Sequence, residues 1–120
     1  MKKLLIVDDS WVARMGLSKV LVPHFNVVEA ESGQIALEIL ENQEIDIIIL
    51  DLLMPGIDGY RVLEVLKSNG SSIPVIVLSA DIQETTQKRV LQLGAKYFLN
   101  KPPKPAHLLE VLNSLLSETK

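Results

Sequence analysis

Five short apolar runs alternate along this chain with longer segments of helical periodicity. The runs are residues 4–7, 26–30, 45–50, 73–78 and 97–99. Most of them continue without polar alternation, which is typical of strands in a parallel sheet that is covered on both faces. Each run therefore predicts one strand, and each segment that follows a run predicts one helix.

The segments between the runs carry recognisable helix starts and stops. Ser10 or Asp9 is suited to cap the first helix, Ser32 the second and Asp58 the third, since a short oxygen side chain accepts from a free backbone N–H there. Pro105 opens the last helix. The first helix has one apolar face, and Arg14, Ser18 and Lys19 lie off it. The residues of this face are spaced at i, i+3, i+4, i+7 and i+8: Ala13, Gly16, Leu17, Val20 and Leu21. Segment 83–93 has few large apolar residues, so we expect it to be the most solvated helix.

Repeated strand-then-helix order predicts an α/β fold. Right-handed crossovers between parallel strands place helices on both faces of the sheet. We therefore expect a doubly wound, five-stranded parallel sheet with five helices, a three-layer sandwich. With 120 residues, of which 48% are hydrophobic, the chain has the size and core material of one domain, and we expect residues 1–120 to form it.

Composition removes several classes of function. The formal net charge of −3 gives no general attraction for nucleic acid or anionic lipid, and no cysteine is present for a disulfide or a thiolate metal site. Without a secretory signal or an apolar run of about 20 residues, a cytoplasmic protein with no membrane contact is expected. No glycine-rich phosphate loop follows the first strand, which argues against a nucleotide site.

Polar side chains follow four of the five predicted strands. The carboxyl ends of parallel strands share one edge of a sheet, so we expect Asp8, Asp9, Asp51, Ser79 and Lys101 to gather there. Three close carboxylates repel one another unless a cation lies among them, and oxygen ligands suit Mg²⁺. Lysine and a hydroxyl would then suit a phosphoryl group, with Asp51 as its nucleophile.

In these residues the chain resembles the receiver domain of two-component response regulators, the CheY-like family. The resemblance covers the whole chain, and its ordered set of motifs is specific although each motif alone is weak. It implies the flavodoxin-like strand order 2-1-3-4-5. The motifs are Asp8-Asp9, Asp51 with Met54-Pro55-Gly56 and Asp58-Gly59, Ser79-Ala80, and Gly94-Ala95 leading to Lys101-Pro102.

The resemblance also implies a role for each site residue. Asp51 would accept phosphate from a histidine kinase or phosphotransfer protein. Asp9, Asp51 and the backbone carbonyl of Leu53 would bind Mg²⁺, and Asp8 would assist through water. Ser79 and Lys101 would contact the phosphoryl group, and the bond before Pro102 is usually cis in the family. Ser79 and Phe98 would form the switch that changes contacts with a downstream target.

Three positions depart from the family pattern. Pro103 stands where the family often has an aromatic residue. Phe98 lacks the hydroxyl of the tyrosine that some members carry, so its switching would rely on burial. Leu53 stands where a polar side chain can help water attack, so we expect slow autodephosphorylation. Two further alternatives remain open: a phosphatase with an aspartyl intermediate, which typically needs a second acid at position 53, and a receiver-like scaffold that is not phosphorylated.

The output of the chain is also open from the sequence. It would act either as a stand-alone regulator on a downstream protein target or as a receiver whose output domain is missing. In both cases the family resemblance implies that the response surface is the fourth helix, the fifth strand and the fifth helix.

Overall fold

A computed structural model describes residues 1–118 and contains one five-stranded parallel sheet in the order β2-β1-β3-β4-β5. The strands are β1 Lys3–Val7, β2 Asn26–Ala30, β3 Ile47–Leu50, β4 Val75–Ser79 and β5 Tyr97–Asn100. The helices are α1 Trp11–Leu21, α2 Gly33–Asn42, α3 Gly59–Ser68, α4 Glu84–Gln92 and α5 Pro105–Glu118. The predicted α/β class, element order and strand order are confirmed.

The core lies on both faces of the sheet. Alternate strand residues point to opposite faces, so Leu5 packs with α2, α3 and α4, whereas Leu4 packs with α1 and α5. All four β3 residues are buried. These two apolar layers produce the predicted three-layer sandwich and explain why β3 is apolar at every position.

The predicted helix caps are present. Ser10 Oγ accepts from the N–H of Ala13, Ser32 Oγ from that of Ile35, and Asp58 Oδ1 from that of Arg61. Ser10 therefore caps α1, which leaves the Asp9 carboxylate outside the helix.

Two strands begin later than predicted. β3 starts at Ile47 because the Asp46 carboxylate, rather than a strand carbonyl, accepts from the N–H of Lys3 at 2.7 Å. β4 starts at Val75, after Pro74, which has no N–H to donate to a ladder. β4 also extends through Ser79, so this hydroxyl belongs to the strand's last residue.

The inward face of α1 differs from the predicted one. Its buried residues are Arg14, Leu17 and Leu21, whereas Gly16 is exposed, so placing Arg14 off the packed face was wrong. The cause is a set of hydrogen-bond acceptors beneath the guanidinium, described below. By contrast, six of the nine α4 residues are exposed and only Thr86 and Val90 are buried, in agreement with the prediction that it is the most solvated helix. Within residues 1–118, no helix is both long and apolar enough to cross a membrane.

Candidate functional site

The ends of β1 and β3 hold two buried acids side by side. Val7 and Leu50 are register partners in the parallel ladder. The N–H of Asp8 donates to the carbonyl of Ala30 at 3.1 Å, and the N–H of Asp51 donates to the carbonyl of Val7 at 2.9 Å. Sheet-type bonds thus fix both backbones, and the residues are 2% and 7% exposed, respectively.

Asp9 completes a cluster of three carboxylates. One oxygen from each of Asp8, Asp9 and Asp51 lies within 4.8 Å of the others. Asp9 is exposed, and no group in residues 1–118 donates a hydrogen bond to its carboxylate. The cluster is therefore open to solvent on the Asp9 side and closed by the sheet on the other.

Lys101 lies between the two buried acids. Its Nζ is 2.6 Å from Asp8 Oδ2 and 3.5 Å from Asp51 Oδ2. The N–H of Lys101 donates to the carbonyl of Ser79 at 3.0 Å, which ties the residue to the end of β4, and the bond to Pro102 is cis. Burial works to lower the pKa of Lys101, but the hydrogen bond to Asp8 and the charges of both acids outweigh it, so the pKa is raised.

The charge balance of the cluster is incomplete. Burial raises the pKa of Asp51, the Lys101 charge opposes this, and the Asp8 charge adds to it, so that the pKa lies above its ordinary value of 3.8. One ammonium is thus shared by two buried carboxylates, with a third beside them. A divalent, oxygen-binding cation fits this donor set, because it would neutralise the excess negative charge.

Ser79 is almost fully buried and faces the loop that follows β4. Its Oγ accepts from the N–H of Asp81 at 3.1 Å. Asp81 in turn accepts from the N–H of Gln83 at 3.0 Å and from Thr86 Oγ1 at 2.8 Å, and these two hydrogen bonds lower the pKa of Asp81. A chain of hydrogen bonds therefore runs from Ser79 to a buried residue of α4.

The loop after β3 brings the backbone of α3 close to Asp51. A Cβ on Gly59 would lie 2.3 Å from the carbonyl oxygen of Asp51, so only glycine fits there. The N–H of Gly59 donates to the carbonyl of Leu52 at 3.0 Å. Leu53 is 68% exposed, two positions beyond Asp51, and places an apolar side chain at this edge of the sheet.

The candidate switch residues lie on adjacent strands. Phe98 on β5 is the register partner of Val77 on β4, two residues before Ser79. Phe98 is half-buried and packs against the core layer that contains Val90 of α4. Tyr97 is exposed and meets His107 edge-on, with ring centroids 6.3 Å apart.

Sequence reasoning missed two residues that border the site. Arg14 Nη1 donates to the backbone carbonyl of Asp8, and Asp81 links Ser79 to α4. For Arg14, the only signal in the sequence is its spacing of three residues from Leu17 and seven from Leu21, which places it on the inward face. Asp81 directly follows the Ser79-Ala80 pair, but nothing in the sequence indicates its bond to Thr86.

The site residues described above all lie within the part of the chain that matches a known protein family. Residues 4–113 match the family model for the response regulator receiver domain. The chain is 32% identical to protein PilH of Pseudomonas aeruginosa, with 98% of this chain and 99% of PilH covered. It is 35% identical to the response regulator SaeR of Staphylococcus aureus, and there it spans only 53% of the relative.

Solved structures show the same architecture. The receiver domain of a Francisella response regulator superposes with a TM-score of 0.91 at 29% identity, and each chain is covered over 100% of its length. The signal receiver domain of a histidine kinase from Syntrophus aciditrophicus gives a TM-score of 0.88 at 33% identity, with 100% of this chain and 93% of that chain covered.

Proposed function

This chain belongs to the response regulator receiver domain family, and on that premise we propose that it is a phosphorylation-controlled signalling module that accepts a phosphoryl group on Asp51. The observation that carries the proposal is the placement of Asp51. It lies at the end of a central strand, within 4.8 Å of two other acids and 3.5 Å from a lysine ammonium. This set of groups would supply a nucleophile, ligands for a metal ion and a positive charge at one point.

The proposed metal is Mg²⁺. Asp9, Asp51 and the backbone carbonyl of Leu53 would hold it, with Asp8 acting through water. When bound, the ion neutralises charge between the acceptor carboxylate and the incoming phosphoryl group. The open Asp9 side of the cluster supports this role, because Mg²⁺ keeps several of its waters in protein sites.

The transfer itself would be carried by three side chains. A carboxylate oxygen of Asp51 forms a bond to phosphorus as the bond between phosphorus and the donor's histidine nitrogen breaks, and that nitrogen keeps the electron pair. Lys101 Nζ stabilises the negative phosphoryl oxygens. Ser79 Oγ already accepts from Asp81, and its own proton has no acceptor in residues 1–118, so it is available to donate to a phosphoryl oxygen.

The change of contacts would begin at Ser79. A hydroxyl drawn toward the phosphoryl group loosens its bond from Asp81 and thereby the link to Thr86 of α4. Movement of Ser79 frees space next to Phe98, whose ring becomes more buried. We therefore place the response surface on α4, β5 and α5, where the scarcity of buried residues in α4 makes rearrangement least costly.

The partners and setting follow from the family. We propose that residues 1–120 form a single receiver domain that acts in the cytoplasm. A histidine kinase or phosphotransfer protein would supply the phosphate, and a downstream protein target or an output domain would read the response surface. The net charge of −3 argues against direct nucleic acid binding by this domain.

We also propose that the domain catalyses only its own phosphorylation and autodephosphorylation and acts on no outside substrate. A phosphatase with an aspartyl intermediate typically needs a second acid two positions beyond its nucleophile, and exposed Leu53 stands at that position. The chain should gain one phosphoryl group when incubated with acetyl phosphate and Mg²⁺, as measured by intact mass. Catalytic release of phosphate without a stable adduct would instead indicate the phosphatase, and no reaction would indicate a scaffold.

Binding of Mg²⁺ is expected to change the fluorescence of Trp11. Its indole is exposed two residues after Asp9, so a change of charge at the cluster alters its surroundings. Titration of the purified chain with MgCl₂ measures the effect, and Asp51→Asn should weaken the response. An unchanged emission at saturating Mg²⁺ would count against the metal site.

Leu53 is expected to make the phosphorylated state long-lived. Its apolar side chain offers no hydrogen bond to an attacking water, whereas Leu53→Asn does. One such bond contributes about 1 kcal/mol, so the substitution should speed phosphate loss roughly fivefold. The lifetime of the purified phosphoprotein measures this effect, with Leu91→Asn as a control at another exposed leucine. A wild-type lifetime of seconds, or equal lifetimes for all three chains, would refute the role of Leu53.

A further inference from the structure

Arg14 is a buried cation whose guanidinium ends at the peptide that joins Asp8 and Asp9. Its residue exposure is 8%. Nη1 donates to the backbone carbonyl of Asp8, and Nε donates to Glu29 Oε1 at 3.0 Å. Arg14 therefore contacts the main chain of the acid pair rather than either carboxylate of that pair.

These contacts hold the backbone at Asp8 from both sides. The N–H of Asp8 is bonded to the carbonyl of Ala30, and its own carbonyl accepts from Arg14. That carbonyl belongs to the peptide plane that leads to Asp9. Because no residue in 1–118 donates to the Asp9 carboxylate, the position of that carboxylate relative to Asp51 depends on this peptide plane.

Glu29 fixes the guanidinium in turn. Its second oxygen, Oε2, accepts from Ser18 Oγ at 3.2 Å, one turn further along α1 than Arg14. Glu29 also balances the positive charge of Arg14, so the pair adds little net field at the acids. A guanidinium has a planar fork of donors that can serve a carbonyl and a carboxylate together, whereas an ammonium acts as a single point charge.

We propose that Arg14 is a positioning residue for the divalent cation site: it fixes the Asp8–Asp9 peptide so that the Asp9 carboxylate stays within reach of Asp51. The proposal rests on the proposed function, since the ion it serves is the Mg²⁺ of that site. If Arg14 positions Asp9, removal of its guanidinium should weaken Mg²⁺ binding. Charge alone predicts the opposite, because removal of a cation near three acids would tighten Mg²⁺ binding. The sign of the change in affinity therefore separates positioning from simple electrostatics.

The test is the Mg²⁺ affinity of the full chain, read both from Trp11 fluorescence and from the Mg²⁺ concentration that gives half the maximal rate of phosphorylation by acetyl phosphate. Arg14→Met should raise the dissociation constant by about 10- to 100-fold, as loss of a group that orients a metal ligand commonly does. Arg14→Lys should raise it less, and Glu29→Gln, which keeps the bond to Asp8, should raise it least. The rate at saturating Mg²⁺ should stay close to that of the wild type.

Val111→Ala is the control for stability, since it trims the core on α5 and leaves the acids untouched. If Arg14→Met binds Mg²⁺ as tightly as the wild type or more tightly, or if Val111→Ala weakens binding equally, positioning by Arg14 is overturned while the proposed function stands. If Arg14→Met does not fold, an unchanged affinity in Arg14→Lys overturns it. A wild-type chain with neither a Mg²⁺ response nor an adduct overturns the proposed function and this inference together.

Discussion

Replacement of Asp51 by asparagine is expected to abolish the phosphoryl adduct completely. Asparagine keeps the size of the side chain but has no anionic oxygen to attack phosphorus. Intact mass after incubation with acetyl phosphate and Mg²⁺ measures the result. Asp58→Asn is a matched control, because asparagine still caps α3 and the substituted residue lies outside the acid cluster. An adduct of equal yield in Asp51→Asn would contradict the assignment.

The same substitution is expected to stabilise the metal-free protein at neutral pH. The folded pKa of Asp51 is raised, chiefly by burial, above its ordinary value of 3.8. The stability contributed by protonated Asp51 is therefore complete below 3.8 and is lost as the pH rises through the folded pKa. Asparagine does not titrate, so the gain relative to wild type should grow across that window and then level off.

Thermal unfolding in a chelator, measured from pH 3 to pH 7 in both chains, tests this effect, with roughly one-unit steps sufficient to resolve the window. Addition of Mg²⁺ should reverse the order at neutral pH, because the ion stabilises the chain that binds it more tightly. Parallel stability curves for the two chains would show that the charge of Asp51 is fully compensated without metal.

Replacement of Lys101 by methionine is expected to slow phosphorylation by about 100- to 1000-fold, the usual loss when one preorganised group that stabilises developing negative charge is removed. Mg²⁺ binding should be kept or tightened, because Nζ no longer competes for Asp8 and Asp51. The rate of adduct formation and the Trp11 titration measure the two effects separately.

Lys104→Met removes a positive charge from an exposed position three residues away and serves as the control. It should phosphorylate at close to the wild-type rate. A Lys101→Met chain that reacts as fast as this control would show that the ammonium only balances the buried acids in the unphosphorylated state.

Much of the fold was predictable because local and long-range signals agree. β3 is apolar at each position because both faces of the sheet are covered, and Ser32 and Asp58 cap helices through bonds to residues three positions away. Such signals lie within a few residues of one another, so the sequence carries them directly. The edge of the sheet where the acids gather follows from the parallel order alone.

The unpredicted features depend on contacts between distant segments. Arg14 was placed off the packed face because periodicity counts arginine as polar, yet Glu29 on β2 and the carbonyl of Asp8 provide acceptors for it inside. The late start of β3 likewise depends on Asp46 meeting Lys3, 43 residues away. The distances from Lys101 to two acids, and the resulting pKa shifts, also require the assembled sheet.

The proposed function requires that Asp51 carries the phosphoryl group, which is tested best by locating that group on the phosphorylated chain. The phosphorylated protein would be reduced with borohydride, which converts an aspartyl phosphate into homoserine, and then digested and sequenced by mass spectrometry. Homoserine is expected at position 51, with Asp8 and Asp9 unchanged. Homoserine at either of those acids, or phosphate retained on His24 or His107, would contradict this expectation.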